Sequence, residues 1–257
     1  VEKAIVEKAK LKKEMRLKRQ MELEKKRRRT RILVWSLSAG LVAVIVLLAI
    51  FWPKPAPLAL DYGKMPTIGS SDAKVKLVEF GDYKCPVCAR FSQEIMSKIK
   101  TEFVDTGKIS FSYQNWTIIS PDADSFTAAM AGQAIYHQSN EAFWKFNDAM
   151  FKNQNPNEHQ IWATEDYILN LAKQEGLEID FDLLKQDLES RKYAGEVNSQ
   201  NSFARKKNFT GTPTVLINGE RLSDSVALDY NNLKAAIEAA LQKADAETTE
   251  SGQSSGQ

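Results

Sequence analysis

The chain has only two cysteines and two histidines among its 257 residues. That supply argues against a zinc centre, which takes four ligands, usually as two closely spaced pairs. His137 and His159 stand far from each other and from Cys85 and Cys88 in the sequence, and both read as ordinary helix or loop residues. A copper carrier built on C-x-x-x-C is also disfavoured, because the two cysteines here have two residues between them. Past Trp52 there is no basic excess: residues 53–257 hold 21 Lys/Arg against 28 Asp/Glu. A nucleic-acid footprint needs clustered Lys/Arg on one face, so no nucleic-acid partner is expected. Residues 244–257 lack any large apolar side chain. That tail cannot bury enough surface to order itself and reads as disordered.

Charge is missing altogether from Ile32 to Trp52, a run rich in Leu, Val, Ile and Ala. A helix of about 20 such residues spans the roughly 30 Å of a bilayer's hydrocarbon core. Trp35 and Trp52 stand near its ends, where amphipathic rings favour the interface. Residues 1–31 carry 14 Lys/Arg against 5 Glu, ending in Lys25-Lys26-Arg27-Arg28-Arg29. The positive-inside rule keeps such a flank in the cytoplasm and sends the rest outside. A cleaved signal peptide would have a shorter apolar core and a small-residue cleavage site. The expectation is therefore a basic cytoplasmic segment over 1–31, a retained transmembrane anchor over 32–52, and an extracytoplasmic remainder. Pro53, Pro55 and Pro57 make 53–72 read as an extended spacer.

Residues 73–243 are of a usual size for one domain. Val75–Phe80 is a short apolar run and reads as a strand; 109–113 alternates apolar and polar residues like a half-buried one. Between them a turn over 81–84 leads to Cys85 and a helical pattern to about 103. A helical stretch occupies about 120–207, with Ser120-Pro121 as a cap pair and further starts at Thr164 and Asp180. Thr214–Ile217 and 220–222 flank Asn218-Gly219, a hairpin signal, and a last helix runs from about 229 to 243. This order describes an α/β domain whose sheet is interrupted by a helical insert.

The cysteines carry the chemistry. A structural disulfide stabilises by closing a long loop in the unfolded chain, and a bridge between Cys85 and Cys88 closes almost none. The pair opens a helix directly after a strand, with Pro86 at the first helical position. Cys85 is then the cap residue, its sulfur facing free N–H groups and the positive end of the helix dipole. Those features favour the thiolate, which is the nucleophile. Cys88 lies one turn further in and is the resolving thiol. A C-x-x-C so placed is a redox motif.

Residues 78–88, Val-Glu-Phe-Gly-Asp-Tyr-Lys-Cys-Pro-Val-Cys, together with the helical insert and Gly211-Thr212-Pro213-Thr214, resemble the DsbA-type thiol–disulfide oxidoreductases. The resemblance is greatest to the membrane-anchored Gram-positive BdbD-like group and covers about 75–243. It implies a thioredoxin fold with an inserted helical subdomain behind a single transmembrane helix. It also implies oxidation of exported proteins that carry reduced cysteines. No cofactor is implied beyond the Cys85–Cys88 disulfide, and electrons would pass to a quinone-linked membrane partner. Pro213 matches the family's cis-proline and Thr212 the residue before it. Glu79 matches a buried acid that exchanges a proton with the second cysteine, with Lys108 as its possible partner. Val87 departs from the strongest oxidants of the family, which have histidine there. The competing functions are a membrane-fed reductase or isomerase, and a binding module that keeps the fold without turnover; Cys85, Cys88 and Pro213 together argue against the binder.

Overall fold

The computed structural model describes residues 2–51 and 56–254, in two compact units divided after residue 55. The first is one helix, α1, Glu2–Phe51, whose Lys, Glu, Arg, Leu and Ala residues are helix formers. Its described apolar side chains, among them Ile32, Trp35, Leu41 and Leu48, are exposed. The expected span lies partly outside the described residues: Trp52 does, as do the side chains of Ala39, Val46, Ala49, Ile50 and Phe51. Among the described residues no helix is long and apolar enough to cross a membrane.

The second unit is built on a five-stranded sheet in the order β1-β3-β2-β4-β5. The strands are β1 (Thr67–Gly69), β2 (Val75–Gly81), β3 (Ile109–Asn115), β4 (Thr214–Ile217) and β5 (Glu220–Arg221). β2 and β3 are parallel and joined by helix α2, residues 86–104; the other pairs are antiparallel. α2 starts as an α-helix, Pro86–Arg90, and widens to π-type turns at Phe91–Met96 and Lys100–Val104. Five helices lie between β3 and β4: α3 (Asp124–Tyr136), α4 (Asn140–Lys152), α5 (Glu165–Gln174), α6 (Phe181–Glu189) and α7 (Ala194–Lys206). α8 (Asp224–Ala227) and α9 (Tyr230–Ser254) close the chain.

β2 is buried on both faces, which is why it reads as an almost continuous apolar run. Side chains alternate across a sheet. Val75 and Leu77 therefore join Ile109, Phe111, Tyr113 and Val215 in the larger core under α2 and the insert. Val78 and Phe80 face the other way, against Trp116, Phe209 and Leu216. There Phe80 stacks on Phe203 at 5.6 Å and meets Phe209 edge-on at 5.0 Å. Glu79 falls on the α2 face by the same alternation, two residues past Leu77.

Three expectations about the backbone change. The segment read as a spacer is part of the domain from about residue 58. Leu58 donates to Gly219 O at 2.9 Å, Met65 is buried, and Thr67–Gly69 pairs with β3. The closely spaced prolines end at Pro57, Pro66 accepts a hydrogen bond from Tyr113 N–H at 3.1 Å, and Leu58, Leu60, Tyr62 and Met65 pack between them. Ser120 and Pro121 are not the N-cap and first residue of α3, which begins at Asp124 after Ala123; the Ser120 hydroxyl nonetheless accepts from the first-turn Ser125 N–H at 3.0 Å and donates to the Asp124 carboxylate at 2.6 Å. The stretch from 244, read as disordered, continues α9 to Ser254. Ala and Glu there are helix formers, and Lys74 pairs with Asp245 at 2.9 Å. The Asn218-Gly219 turn has positive φ at both residues, 49° and 82°, as the hairpin signal requires.

Candidate active site

Cys85 is the N-cap of α2, in extended conformation, with Pro86 behind it as the first helical residue. The sulfur is nearly enclosed, and that of Cys88 is wholly buried one turn along. Both are free thiols that share a hydrogen bond. That bond, the Thr212 hydroxyl and the backbone N–H groups of Val87 and Cys88 pull the Cys85 pKa down to about 6 against the opposing effect of burial. Burial, the bond to Cys85 and the nearby Glu79 carboxylate drive Cys88 well above the ordinary thiol range. Two thiols of the same type thus titrate on opposite sides of neutrality.

The loop before β4 supplies the facing wall. Its Thr212–Pro213 peptide is cis, and the Cys85 thiol donates to Thr212 O at 3.3 Å. The Thr212 hydroxyl, buried without a partner beside the thiol, is placed to donate once the sulfur ionises. Behind the helix, Glu79 is buried between Tyr113 on β3 and Val215 on β4, its partners in register. Desolvation, then the charge of Cys85, raises its pKa to about 8, although a hydrogen bond with Cys88 works the other way. Cys85, Cys88, Glu79, Thr212 and Pro213 therefore converge on one place.

Lys108 does not join them. β2 and β3 run parallel, pairing Val75 with Ile109 and Glu79 with Tyr113. Lys108 consequently lies at the opposite end of β3, exposed over the Phe103 ring at 5.6 Å. The histidines are also remote: His137 stacks on Tyr193 and contacts Glu196 at 2.9 Å, while the His159 side chain is largely exposed. Among the described residues no three His, Cys, Asp or Glu form a group able to hold a metal ion.

Three charged residues around the motif went unread in the sequence. Lys84 is fully buried and donates to Asp124 at 2.6 Å and to Gln160 O at 3.0 Å. Asp82 accepts from the backbone N–H groups of Lys84, Ile118 and Ile119. Together they tie the loop before Cys85 to the helical insert. Gly81 ends β2 rather than opening a turn; a Cβ there would lie 2.9 Å from Glu79 Oε1 and 2.8 Å from the Tyr113 ring. The available signal was Asp82 and Lys84 themselves, two further charges beside Glu79 in a largely apolar motif, each requiring a buried partner.

A family model described as thioredoxin matches residues 62–239. The chain belongs to the thioredoxin family. Its relatives narrow the placement. Probable disulfide bond formation protein D of Bacillus cereus is 34% identical over 182 residues, covering 71% of this chain and 81% of that protein. Disulfide bond formation protein D of Bacillus subtilis is 33% identical over 177 residues, covering 69% and 77%. The crystal structure of oxidised BdbD from Bacillus subtilis superposes with a TM-score of 0.67 at 31% identity, over 74% of this chain and all of that one. The protein is a thiol–disulfide oxidoreductase of the DsbA type, with an inserted helical subdomain in its thioredoxin fold.

Proposed function

We propose that this oxidoreductase introduces disulfides into exported proteins, working through Cys85 and Cys88 from the outer face of a membrane. The opposite treatment of the two sulfurs carries the reading. A client thiolate attacks Cys85 Sγ of the oxidised pair; the Cys85–Cys88 bond breaks and a mixed disulfide forms. Cys88 leaves as a thiolate and takes the proton of Glu79, whose burial favours the protonated carboxyl. The second client thiolate then attacks its own bound sulfur. Cys85 departs as a thiolate, a good leaving group with a pKa of about 6. The client gains a disulfide and the enzyme holds two electrons. Thr212, opposite the sulfur, is the backbone against which an extended client would align.

Two cysteines store one electron pair, so each turnover requires an acceptor. A quinone-linked membrane protein suits that need for a domain held at the bilayer. The anchor reading rests on the uncharged run 32–52, its basic flank, and the exposed Ile, Leu and Val side chains of α1. Exposed apolar side chains of this kind are costly in water and favourable in lipid. The Cys88→Ser variant of the full chain should accumulate mixed disulfides between Cys85 and exported clients, and Cys85→Ser none. Equal trapping by both would overturn the roles given to the two thiols; a Cys85–Cys88 pair that is reduced at steady state in intact cells would replace this reading by the reductase or isomerase one. Protease added to protoplasts should remove the domain and spare residues 1–31; a protected domain would reverse the orientation.

A further inference from the structure

Glu79 reaches a cavity of about 450 Å³ between α2 and α4 that none of Cys85, Thr212 or Pro213 lines. Its lining includes Glu79, Trp144 and Asn147, with Lys100, Asp148 and Lys152 at the exposed residues. Two of the buried polar atoms on this wall have no hydrogen-bond partner in the protein: Glu79 Oε1 and Trp144 Nε1. Buried polar groups are satisfied by protein or by ordered water. A cavity of this size holds several waters, and polar lining atoms are what retain them.

We propose that this cavity is the path by which Glu79 exchanges its proton with solvent, and that Asp148 is the relay residue at its rim, acting through Glu79. The inference rests on the reading of Glu79 as the proton partner of Cys88. Its necessity follows from the cycle. While a client is bonded to Cys85, the client covers that side of the site, yet Glu79 must still gain or lose a proton. A second entrance removes the conflict. The charged and titratable groups around Glu79 are Cys85 and Tyr83 from the active-site loop, Cys88 from α2 and Tyr113 from β3. Lys100 of α2, which also pairs with Asp105 at 3.1 Å, and Asp148 and Lys152 of α4 share the cavity with it, while Ile68 of β1 and Val215 of β4 are apolar. The Asp148 carboxyl is held above its ordinary range by the surrounding protein, against the pull of Lys100, which suits it to proton relay.

The test is the resolution of a Cys85–glutathione mixed disulfide in the full chain. Cys88-SH loses its proton to the Glu79 carboxylate and attacks Cys85 Sγ; the Cys85–Cys88 bond forms, glutathione thiolate leaves, and Glu79 sends its proton to solvent. Wild type should quicken as Glu79 ionises, along a limb that burial holds above the ordinary carboxylate range. The limb lies below the value of about 8 of the free dithiol, because the Cys85 charge is absent in the mixed disulfide. Asp148→Asn should slow the plateau several-fold with a larger solvent isotope effect. Asp148→Glu should restore it. Ser97→Phe, which blocks the rim, should slow the plateau with the same isotope signature while leaving Cys85 alkylation unchanged. If Glu79→Gln keeps the limb, the role of Glu79 fails and this inference with it. If Glu79→Gln abolishes the limb but Asp148→Asn and Ser97→Phe match wild type, the route alone is wrong.

Discussion

On one side of the cysteines Asp82, Lys84 and Asp124 bury three charged groups and leave none of their atoms without a partner; on the other, Glu79, Tyr113 and Trp144 each bury a polar atom that has none. The three carboxyls form a series. Burial alone would push each upward. Asp124 has Lys84, Ser120 and two backbone N–H groups, and these overcome burial so that its pKa falls. Asp82 has backbone donors but no cation, and burial wins. Glu79, one oxygen unbonded, rises to about 8. A fully bonded carboxylate holds a loop in place and cannot usefully change charge. One left short of donors can.

The comparison breaks most violently at Lys84. Lys84→Met leaves Asp124 buried without its cation, and losing one partner of a buried pair costs about 3–5 kcal/mol. Urea unfolding should show that loss, and Lys84→Met/Asp124→Asn should recover part of it, because the amide oxygen removes the buried charge and still accepts from the Trp162 and Ala163 N–H groups. In whatever fraction stays folded, Cys85 should still alkylate with a midpoint near 6, since Lys84 makes no contact with the sulfur. A shifted midpoint would mean that the positioning cluster also tunes the chemistry.

Glu79→Gln sharpens the other half. The folded pKa of Glu79, about 8, lies above its ordinary 4.5, so between these values the unfolded chain binds fewer protons. Wild-type stability should then fall as pH rises through that window, by up to about 1.4 kcal/mol per pH unit. The contribution is whole below about 4.5 and lost above about 8. Stability measured from pH 5 to 8 should fall more steeply in wild type than in Glu79→Gln. Parallel curves would show Glu79 to be an ordinary acid.

These contrasts also mark what was legible in the sequence. Position and neighbours along the chain sufficed for Cys85, because a cap is a local feature: Pro86 and the strand before it already define the geometry. Glu79 was readable as a charge interrupting an apolar strand, but Lys108 was a wrong partner because strand direction, not sequence distance, decides what faces it. Asp82, Lys84 and Asp124 were missed for the same reason: Lys84 and Asp124 are 40 residues apart and meet only through the insert. β1 was hidden by its shortness, three residues beside a proline-rich run.

Gly81→Ala is a smaller intrusion. The added methyl meets Glu79 and the end of the rigid Tyr113 ring, and overpacking of this kind costs about 1–3 kcal/mol. Because Glu79 must move, the pH dependence of stability should change with it. A variant as stable as wild type, with the same pH curve, would mean that the wall around Glu79 has slack.

The smallest effect is expected at Val87, and it concerns the thiolate rather than either cluster. Cys85 draws its stabilisation from Cys88, Thr212 and backbone N–H groups; the half-buried Val87 side chain adds neither donor nor charge. Only depression below ambient pH stabilises the reduced form, so at pH 7 a pKa of about 6 counts for one unit. That is about 1.4 kcal/mol, or roughly 30 mV for a two-electron couple. The potential should therefore lie above the value of about −270 mV typical of thioredoxin and below the −120 mV of DsbA. Val87→His places a donor and a partial positive charge beside the sulfur, which should lower the thiolate pKa further and raise the potential by tens of millivolts. Equilibration with glutathione, with thiolate absorbance followed in parallel, measures both at once. A wild-type potential at or below that of thioredoxin, or a variant whose pKa falls without any rise in potential, would show that thiolate stabilisation at this helix terminus does not set the oxidising strength.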